Sequence, residues 1–288
     1  MRAPVTQAET LASIPLTVGE MARFFYATPF PGLDCLTATF RTHVYVAHTH
    51  ETYVIGTVNA GCETWSARGA RHYAGPGDVL FNLPLDVHDG APFGEGYSYR
   101  MTYPTVGFMQ NVASAVCGRA VTATPTFRVS VVRDPEGARL FAAAHAALEH
   151  GLDALEGEEL LLRAYGRLLA QHGEIRPATL GREPGPIARV RDAIEQRYAE
   201  SLMLAELAQV ARLSTYHLIR AFRAEVGLTP HAYLLDVRVR RARDFLRLGL
   251  APAEVALRAG FADQAHLTRA FKARVGVAPG AYRRALRG

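Results

Sequence analysis

The sequence has little cysteine, little lysine and no long apolar run. Its cysteines are Cys35, Cys62 and Cys117, an odd number with no CxxC pair, which argues against a disulfide framework or a cysteine-rich zinc site and fits a reducing compartment. No apolar run approaches the roughly 18 residues of a membrane span, and the opening segment MRAPVTQAETLASIPL lacks the long apolar core of an export signal. We therefore expect a cytoplasmic protein that is neither exported nor anchored in a membrane.

The charged residues are unevenly distributed along the 288 residues. The segment 174–186 has three prolines, two glycines and no apolar periodicity, which is typical of a linker. Up to its end there are 14 arginines and 18 acidic residues, and from residue 187 on there are 18 basic residues, including the only lysine, and 9 acidic ones. The net charge of +5 thus divides into −4 and +9, and a strongly basic domain attracts polyanions such as nucleic acid. We predict an N-terminal domain over 1–173, a linker over 174–186 and a C-terminal domain over 187–288.

The basic half contains two copies of one helical unit. Apolar residues recur at helical spacing from residue 187 on, and a break after a short helix leads to Ser214, a good N-cap. Two copies are too few for a solenoid, so we predict two helix–turn–helix units joined by one long helix. Five positions repeat at an offset of 49 residues: Leu218 and Leu267, Phe222 and Phe271, Gly227 and Gly276, Pro230 and Pro279, and Tyr233 and Tyr282.

Each helix–turn–helix unit can place its second helix in the major groove of DNA, and two units on one rigid helix can enter successive grooves about 34 Å apart. The second helices are predicted to begin near Ser214 and Asp263 and to expose residue types that read base edges. For Arg220 and Arg269, which are repeat equivalents, a surface salt bridge is the alternative role. The predicted DNA-binding residues are Thr215, Tyr216, His217, Ile219 and Arg220 in the first unit and Gln264, His266, Thr268 and Arg269 in the second.

This half of the chain resembles the DNA-binding domain of the AraC/XylS family of transcriptional regulators. The most specific part of the resemblance runs from Ala256 through Gly260–Phe261 to Tyr282–Arg283. Two positions depart from the family pattern: Met203 stands where a serine-type cap is usual, and Pro252 replaces an apolar helix residue. Because proline is acceptable in a first turn, the resemblance implies a DNA-binding regulator with a local adjustment there.

The acidic half favours β-strands from about residue 34 to 132. Residues 59–61 and Gly75-Pro-Gly-Asp78 are turn signals, and the stretches 97–103 and 127–131 alternate apolar and polar residues. Many short strands with Gly/Pro turns are typical of a sandwich or a barrel. Two helical stretches follow, at about 135–150 and 157–172, and such a pair either packs on its own barrel or forms a dimer interface.

The segment AHTHETYVIG carries His48 and His50, which lie on one face if the segment is a strand. Together with Gly56, Pro76-Gly77-Asp78 and His88 it resembles the sensor domain of the same family, which has the cupin jelly-roll fold. The resemblance implies a two-domain α+β protein, with a cupin-like β-barrel and helix pair followed by an all-α double helix–turn–helix domain. Metal-binding cupins carry a further glutamate a few residues after the second histidine. Here Glu51 follows His50 directly, so we predict no metal and no cofactor.

The three histidines have three interpretations. They contact a small effector, or they are structural and hydrogen-bonded by the backbone or by Asp86 and Asp89, or they form a three-histidine metal site suited to zinc or nickel. Two aromatic residues could line the same cavity, with a role in the core as the alternative. The effector-binding residues that we predict are His48, His50, Tyr53, Trp65 and His88.

We expect a ligand-responsive, sequence-specific DNA-binding regulator with no catalytic residue. Its expected partners are double-stranded DNA, a small effector and a second copy of the chain, because the family resemblance favours a homodimer; RNA polymerase is a further candidate. The sequence leaves open whether it is an activator or a repressor. One alternative is a metal-dependent cupin-type enzyme fused to a helical domain, against which the missing glutamate and the intact repeat argue. The other is a DNA-binding dimer that needs no effector.

Overall fold

A computed structural model describes residues 16–27, 30–151, 154–178 and 184–285. The chain divides into two compact units, which we call the N-terminal unit (Met1–Gly151 and Leu160–Pro177) and the C-terminal unit (Leu152–Glu159 and Ala178–Gly288). The opening segment up to residue 15 and the middle of the predicted linker, 179–183, lie outside the described residues. Among the described helices, none combines the length and the apolar character needed to cross a membrane.

The N-terminal unit is built on one sheet of eight strands, in the order β1-β2-β7-β4-β6-β8, with β3 paired to β7 and β5 to β4. All strand pairs are antiparallel. The expected β-rich N-terminal domain is thereby confirmed. The strands are β1 (Met21–Tyr26), β2 (Leu33–Phe40), β3 (Tyr45–His48), β4 (Val54–Ala67), β5 (Ala70–Ala74), β6 (Asp78–Asn82), β7 (His88–Pro104) and β8 (Val131–Arg133).

The alternation predicted for residues 97–103 forms the core face of β7. Tyr97, Tyr99, Met101 and Tyr103 all point to that face and are buried there, because successive side chains of a strand point to opposite faces. The predicted Gly75–Asp78 turn joins β5 to β6, with the Asp78 backbone N–H donating to the Gly75 carbonyl at 3.0 Å.

Three local predictions in this unit are wrong. Residues 59–61 do not reverse the chain: β4 runs through them, with register shifts against β7 on both sides of Ala60, so the signal marks a bulge. Gly61 has φ +72°, and a Cβ there would overlap the Gly96 carbonyl oxygen. The alternation at 127–131 yields only the short β8. Residues 106–117 lie in the stretch that was expected to favour strands, but they form a helix. It is capped by Thr105, whose hydroxyl accepts from the Phe108 N–H at 3.1 Å.

Helices occupy both stretches that were expected to form a pair. Among the residues described up to this point of the chain, the helices are α1 (Val106–Cys117), α2 (Pro135–Glu149) and α3 (Ala154–His172). The apolar stripe of α3, including Leu161, Tyr165 and Leu168, is buried, and the Tyr165 hydroxyl lies 2.5 Å from that of Thr102 on β7. This stripe therefore packs within its own unit, and a role of the helix pair in a dimer stays a prediction.

The C-terminal unit is all helical beyond the linker, as expected. Its helices are α4 (Pro184–Gln196), α5 (Leu204–Ala211), α6 (Thr215–Val226), α7 (Pro230–Arg247), α8 (Pro252–Arg258), α9 (Gln264–Val275) and α10 (Pro279–Ala285). Pro252 is the first residue of α8, which agrees with its assignment to a first turn. Gly260, at φ +79°, lets the turn after α8 pass against the backbone of Ala199.

The 49-residue repeat is a repeat of geometry as well as of sequence. Ser214 and Asp263 cap α6 and α9 by accepting from the N–H three residues on, at 3.2 and 2.6 Å. Both helices end at a left-handed glycine, with φ +80° at Gly227 and +87° at Gly276. The ring of Phe222 meets Tyr233 edge-on at 5.6 Å, and the ring of Phe271 meets Tyr282 at 5.4 Å. Equivalent residues therefore make equivalent contacts in the two helix–turn–helix units.

Candidate functional sites

The three predicted histidines lie together in the N-terminal unit. His48 ends β3 and His88 begins β7, and the two are direct partners across this antiparallel pair. His50 lies in the loop after β3, so the expectation that it shares a strand face with His48 is wrong. It reaches the cluster nevertheless: its Nε2 is 3.0 Å from that of His48, and the three ring centroids are 4.6 to 5.1 Å apart.

The imidazoles of His48 and His88 are oriented by backbone carbonyls. Nδ1 of His48 lies 2.7 Å from the Val46 oxygen, and Nδ1 of His88 lies 2.9 Å from the Asp86 oxygen. The nearby carboxylates are engaged elsewhere, since Asp86 accepts from Arg68 at 2.7 Å and Asp89 accepts from the Ser66 N–H at 2.5 Å. Of the structural partners suggested by the sequence, the backbone is the one that holds these rings.

The cluster opens onto a cavity of about 40 Å³, which the three histidines and Trp65 line. Tyr53, predicted as a further lining residue, is fully buried elsewhere and donates its hydroxyl to the Pro125 carbonyl at 2.6 Å. The lining includes buried polar atoms, among them Trp65 Nε1 and Asn82 Oδ1, that have no hydrogen-bond partner among the described residues. Such atoms mark a place where a bound molecule or ion can supply the missing contact.

Burial determines the protonation states of side chains that line the cavity. It lowers the pKa of His50 to about 3, with the His48 and His88 imidazoles acting in the same direction, and it lowers the pKa of His88. Burial also raises the pKa of the Glu63 carboxyl to about 8, so this lining residue is protonated at neutral pH. His50 and His88 are consequently neutral there and offer lone pairs instead of charge.

Sequence reasoning missed Glu63 and Asn82 as lining residues. Glu63 could have been found, because it lies two positions before Trp65 on β4 and therefore shares its face of the strand. A larger open groove of about 420 Å³ adjoins the cavity and shares His88 and Asp89 with it.

In the first helix–turn–helix unit, α6 presents four of its five predicted DNA-binding residues at least partly to solvent. Ile219 is the exception, with 3% of its surface exposed. Its predicted exposure is wrong, because neighbouring residues of a helix are only about 100° apart and the core face of α6 includes both Leu218 and Ile219. Arg220 donates to the Ala178 carbonyl at 3.0 Å and lies over the Tyr216 ring, so its contacts are not the salt bridge considered as an alternative.

In the second unit, α9 exposes both Gln264 and Arg269. Arg269 forms no ion pair with any residue that the structure describes. His266 and Thr268 are half-buried: the His266 ring packs edge-on against Phe261 at 5.2 Å, and the Thr268 hydroxyl donates to the Gln264 carbonyl at 2.7 Å. The first turn of α9 is therefore more accessible to solvent than the first turn of α6.

Two arginines of the long helix α7 are engaged within the protein. Arg238 is only 1% exposed and donates to the carbonyls of Tyr198 and Glu200 at 2.7 and 2.9 Å. Arg240 forms an ion pair with Glu195 at 2.9 Å. Arg238 therefore has a structural role.

Comparison with known proteins gives matches in both halves. A model of the AraC-like ligand-binding domain matches residues 30–165, and a helix-turn-helix domain model matches residues 207–285. The uncharacterised HTH-type transcriptional regulator YbfI of Bacillus subtilis (strain 168) is 28% identical over 220 residues, which are 76% of this chain and 79% of YbfI.

Two solved structures are also similar. ToxT from Vibrio cholerae O395 is 9% identical, with 89% of this chain and 99% of that chain covered and a TM-score of 0.37. The DNA-binding domain of AdpA in complex with a target DNA is 32% identical, with 35% of this chain and 93% of that chain covered and a TM-score of 0.34.

A β-rich unit that matches a ligand-binding domain, followed by a helical unit with two helix–turn–helix repeats, defines a two-domain transcription regulator. The chain belongs to the AraC/XylS family of transcriptional regulators. The family and the fold class expected from the sequence are thereby confirmed. The family is one of transcription regulators, not of enzymes.

Proposed function

We propose that this regulator binds a specific DNA sequence through α6 and α9, which enter successive major grooves, in response to a small effector bound by the N-terminal unit. The proposal that the protein binds DNA is supported by the matching caps and aromatic contacts of the two helix–turn–helix units. They give α6 and α9 the same internal scaffold, each with its first turn at least partly exposed, and the two scaffolds share the single helix α7.

The proposed DNA contacts are of two kinds. Arg269 and Gln264 have the exposure and the donors to read guanine and adenine edges, and Thr215, Tyr216, His217 and Arg220 are their counterparts on α6. The net charge of +9 beyond residue 186 adds attraction to phosphates without sequence preference. Binding to chromosomal DNA would place the protein in the cytoplasm.

The proposed effector contacts are His48, His50, His88 and Trp65, which share one cavity. Tyr53 is not included, because it lies outside the lining. For the effector to change DNA binding, it must bind two states of the protein with different affinity. The domain division at residues 174–186, taken from the composition of that segment, is a further part of the proposal. So are a homodimer, which the family resemblance favours, and contact with RNA polymerase. Because the α3 stripe is already buried, a dimer would use other surfaces.

Mapping of bound chromosomal sites, followed by footprinting of the full chain on one of them, tests the DNA part. We expect two protected segments centred about 10–10.5 base pairs apart. A single protected segment, or equal protection of unrelated DNA, would contradict the paired major-groove arrangement. A thermal-shift screen of small molecules tests the effector part separately, and sedimentation of the free and DNA-bound chain tests the dimer.

A further inference from the structure

We propose that His48, His50 and His88 bind one divalent cation of the borderline class, exemplified by Zn²⁺. The backbone fixes two of these ligands, because His48 and His88 face each other across the β3–β7 pair. The third comes from the loop two residues further on. One ring nitrogen from each histidine lies within 4.8 Å of the other two, so the three imidazoles surround a common point.

The hydrogen bonds of the rings orient nitrogen lone pairs toward that point. A carbonyl oxygen can only accept, so Nδ1 of His48 and Nδ1 of His88 carry the hydrogens that they share with Val46 and Asp86. Nε2 of both rings then carries a lone pair when the ring is neutral, and that of His48 accepts from His50 Nε2 at 3.0 Å. An imidazole whose second nitrogen donates to a backbone carbonyl is the usual form of a metal-bound histidine.

The spacing of the nitrogens is close to what a tetrahedral ion requires. With metal–nitrogen bonds of about 2.0–2.1 Å, two ligand nitrogens lie about 3.3–3.4 Å apart. Nε2 of His48 and Nε2 of His50 are 3.0 Å apart. A cation between them would replace the single proton that this pair shares.

The surroundings favour a cation over an anion. Among the described residues, the lining contains no arginine or lysine, whereas it includes the acidic side chain of Asp89. Three imidazole nitrogens suit Zn²⁺, Co²⁺ or Ni²⁺, while Mg²⁺ and Ca²⁺ prefer oxygen ligands. The glutamate that metal-binding cupins carry after the second histidine is missing here. Its absence excludes an octahedral site of the cupin pattern, but three histidines can still form a site.

The size of the cavity agrees with an ion. A cavity of about 40 Å³ has room for an ion with a water molecule, since one water requires about 10–15 Å³. Three protein ligands leave a fourth tetrahedral position open, and His88 also borders the adjoining groove. In this proposal the three histidines hold the ion, and an effector would meet them only through the ion's open fourth position. The inference does not rest on DNA binding, and its test needs no DNA.

The test is a titration of the untagged full chain, stripped with a chelator and desalted, with ZnCl₂ in competition with a coloured zinc indicator. We expect one Zn²⁺ per chain, and we expect Co²⁺ in its place to give the intense visible absorption of a four-coordinate site. His50→Ala should weaken Zn²⁺ binding by more than the about 10–100-fold that follows loss of a mere hydrogen-bond partner of a ligand. Zn²⁺ should raise the thermal midpoint of the wild type and leave that of the variant unchanged.

His50 lies in a loop and is half-buried, so its truncation leaves the β3–β7 pairing intact. His88→Gln is the second variant, because the amide can still donate to the Asp86 carbonyl while losing the imidazole ligand. His150→Ala is the matched control, since this imidazole is exposed and bonds to its own helix at the Ala146 carbonyl. A ratio well below one Zn²⁺ per chain, or equal affinities in the wild type, His50→Ala and His88→Gln, would overturn the site. Footprinting of the same metal-free preparation tests the proposed DNA function independently.

Discussion

The carboxylate of Glu158 accepts a hydrogen bond from the backbone N–H of Leu204 at 2.7 Å. Leu204 is the first residue of α5, and the preceding Met203 makes no side-chain cap. Glu159, next to Glu158 in the first turns of α3, accepts from the N–H of His231 near the start of α7 at 2.9 Å. Residues 152–159 belong to the C-terminal unit. Helix α5 therefore receives its N-terminal cap from Glu158, in a distant segment of the same unit, because Met203 does not supply one.

Glu158→Ala should loosen α5. Loss of a helix cap costs about 0.5–2 kcal/mol, and about 1–2 kcal/mol corresponds to a factor of about 5–30 in an equilibrium constant. We expect amides at the start of α5 to exchange hydrogen faster by such a factor, measured by mass spectrometry on the full chain. Glu158→Gln, which keeps an accepting oxygen, should show a smaller effect. The control is Glu225→Ala on the exposed side of α6; if it accelerates exchange in α5 equally, Glu158 is not the cap.

Arg269→Ala should weaken specific DNA binding by about 1–3 kcal/mol and relax the preference at one base pair. The reason is that Arg269 is exposed and forms no ion pair with the described residues, so all of its guanidinium N–H groups are available to donate to DNA. The measurement is titration of the mapped site and of its single-base variants. Arg258→Ala on α8, whose partner is Glu254 at 2.8 Å, is the control of equal charge. Equal losses on specific and random DNA would show a phosphate contact instead.

Arg220→Ala should cost less than Arg269→Ala, although the two arginines are repeat equivalents. The guanidinium of Arg220 already donates to the Ala178 carbonyl and lies over the Tyr216 ring, so contact with DNA exchanges existing interactions for new ones. The same titration compares the two variants on one operator. A larger loss for Arg220→Ala would mean that its contacts orient it for DNA instead of competing with DNA.

Asp134→Asn should destabilise the N-terminal unit at neutral pH and reduce its sensitivity to acid. Burial alone would raise the pKa of this carboxyl, but hydrogen bonds from Arg167, His172 and the Gly137 N–H hold it well below its usual range. The stabilisation is therefore present above the unfolded pKa of about 3.9 and is lost as the pH falls toward the lower folded value.

Urea unfolding of the two proteins at pH 7 and near pH 3 measures this effect. We expect a loss of about 1–3 kcal/mol for Asp134→Asn at pH 7, from weakened hydrogen bonds to charged groups, and a smaller difference at low pH. Glu136→Gln is the control, because Glu136 pairs with the same Arg167 at 3.0 Å but is 59% exposed, and such pairs contribute about 0–1 kcal/mol. A difference for Asp134→Asn that does not change with pH would contradict the assignment to its charge.

The sequence by itself determined the class of each half and the repeated unit. The 49-residue offset, Ser214 before α6, Gly227 after it and Pro230 at the start of α7 are local signals, because caps and turns depend on residues only a few positions apart. They locate helix ends wherever the helices pack. The uneven charge likewise needed no coordinates to separate a basic domain from an acidic one.

Only the tertiary structure decided which side chains meet. The register of β3 against β7 brings His48 to His88, 40 residues later, and the following loop adds His50. Packing turned Tyr53 toward Pro125 and buried Ile219, and it supplied a cap for Leu204 from Glu158. These contacts depend on strand register and on packing between distant segments, where a shift of one residue would point a side chain to the opposite face. Local spacing therefore identified the chemically capable residues, and the fold selected the ones that share a site.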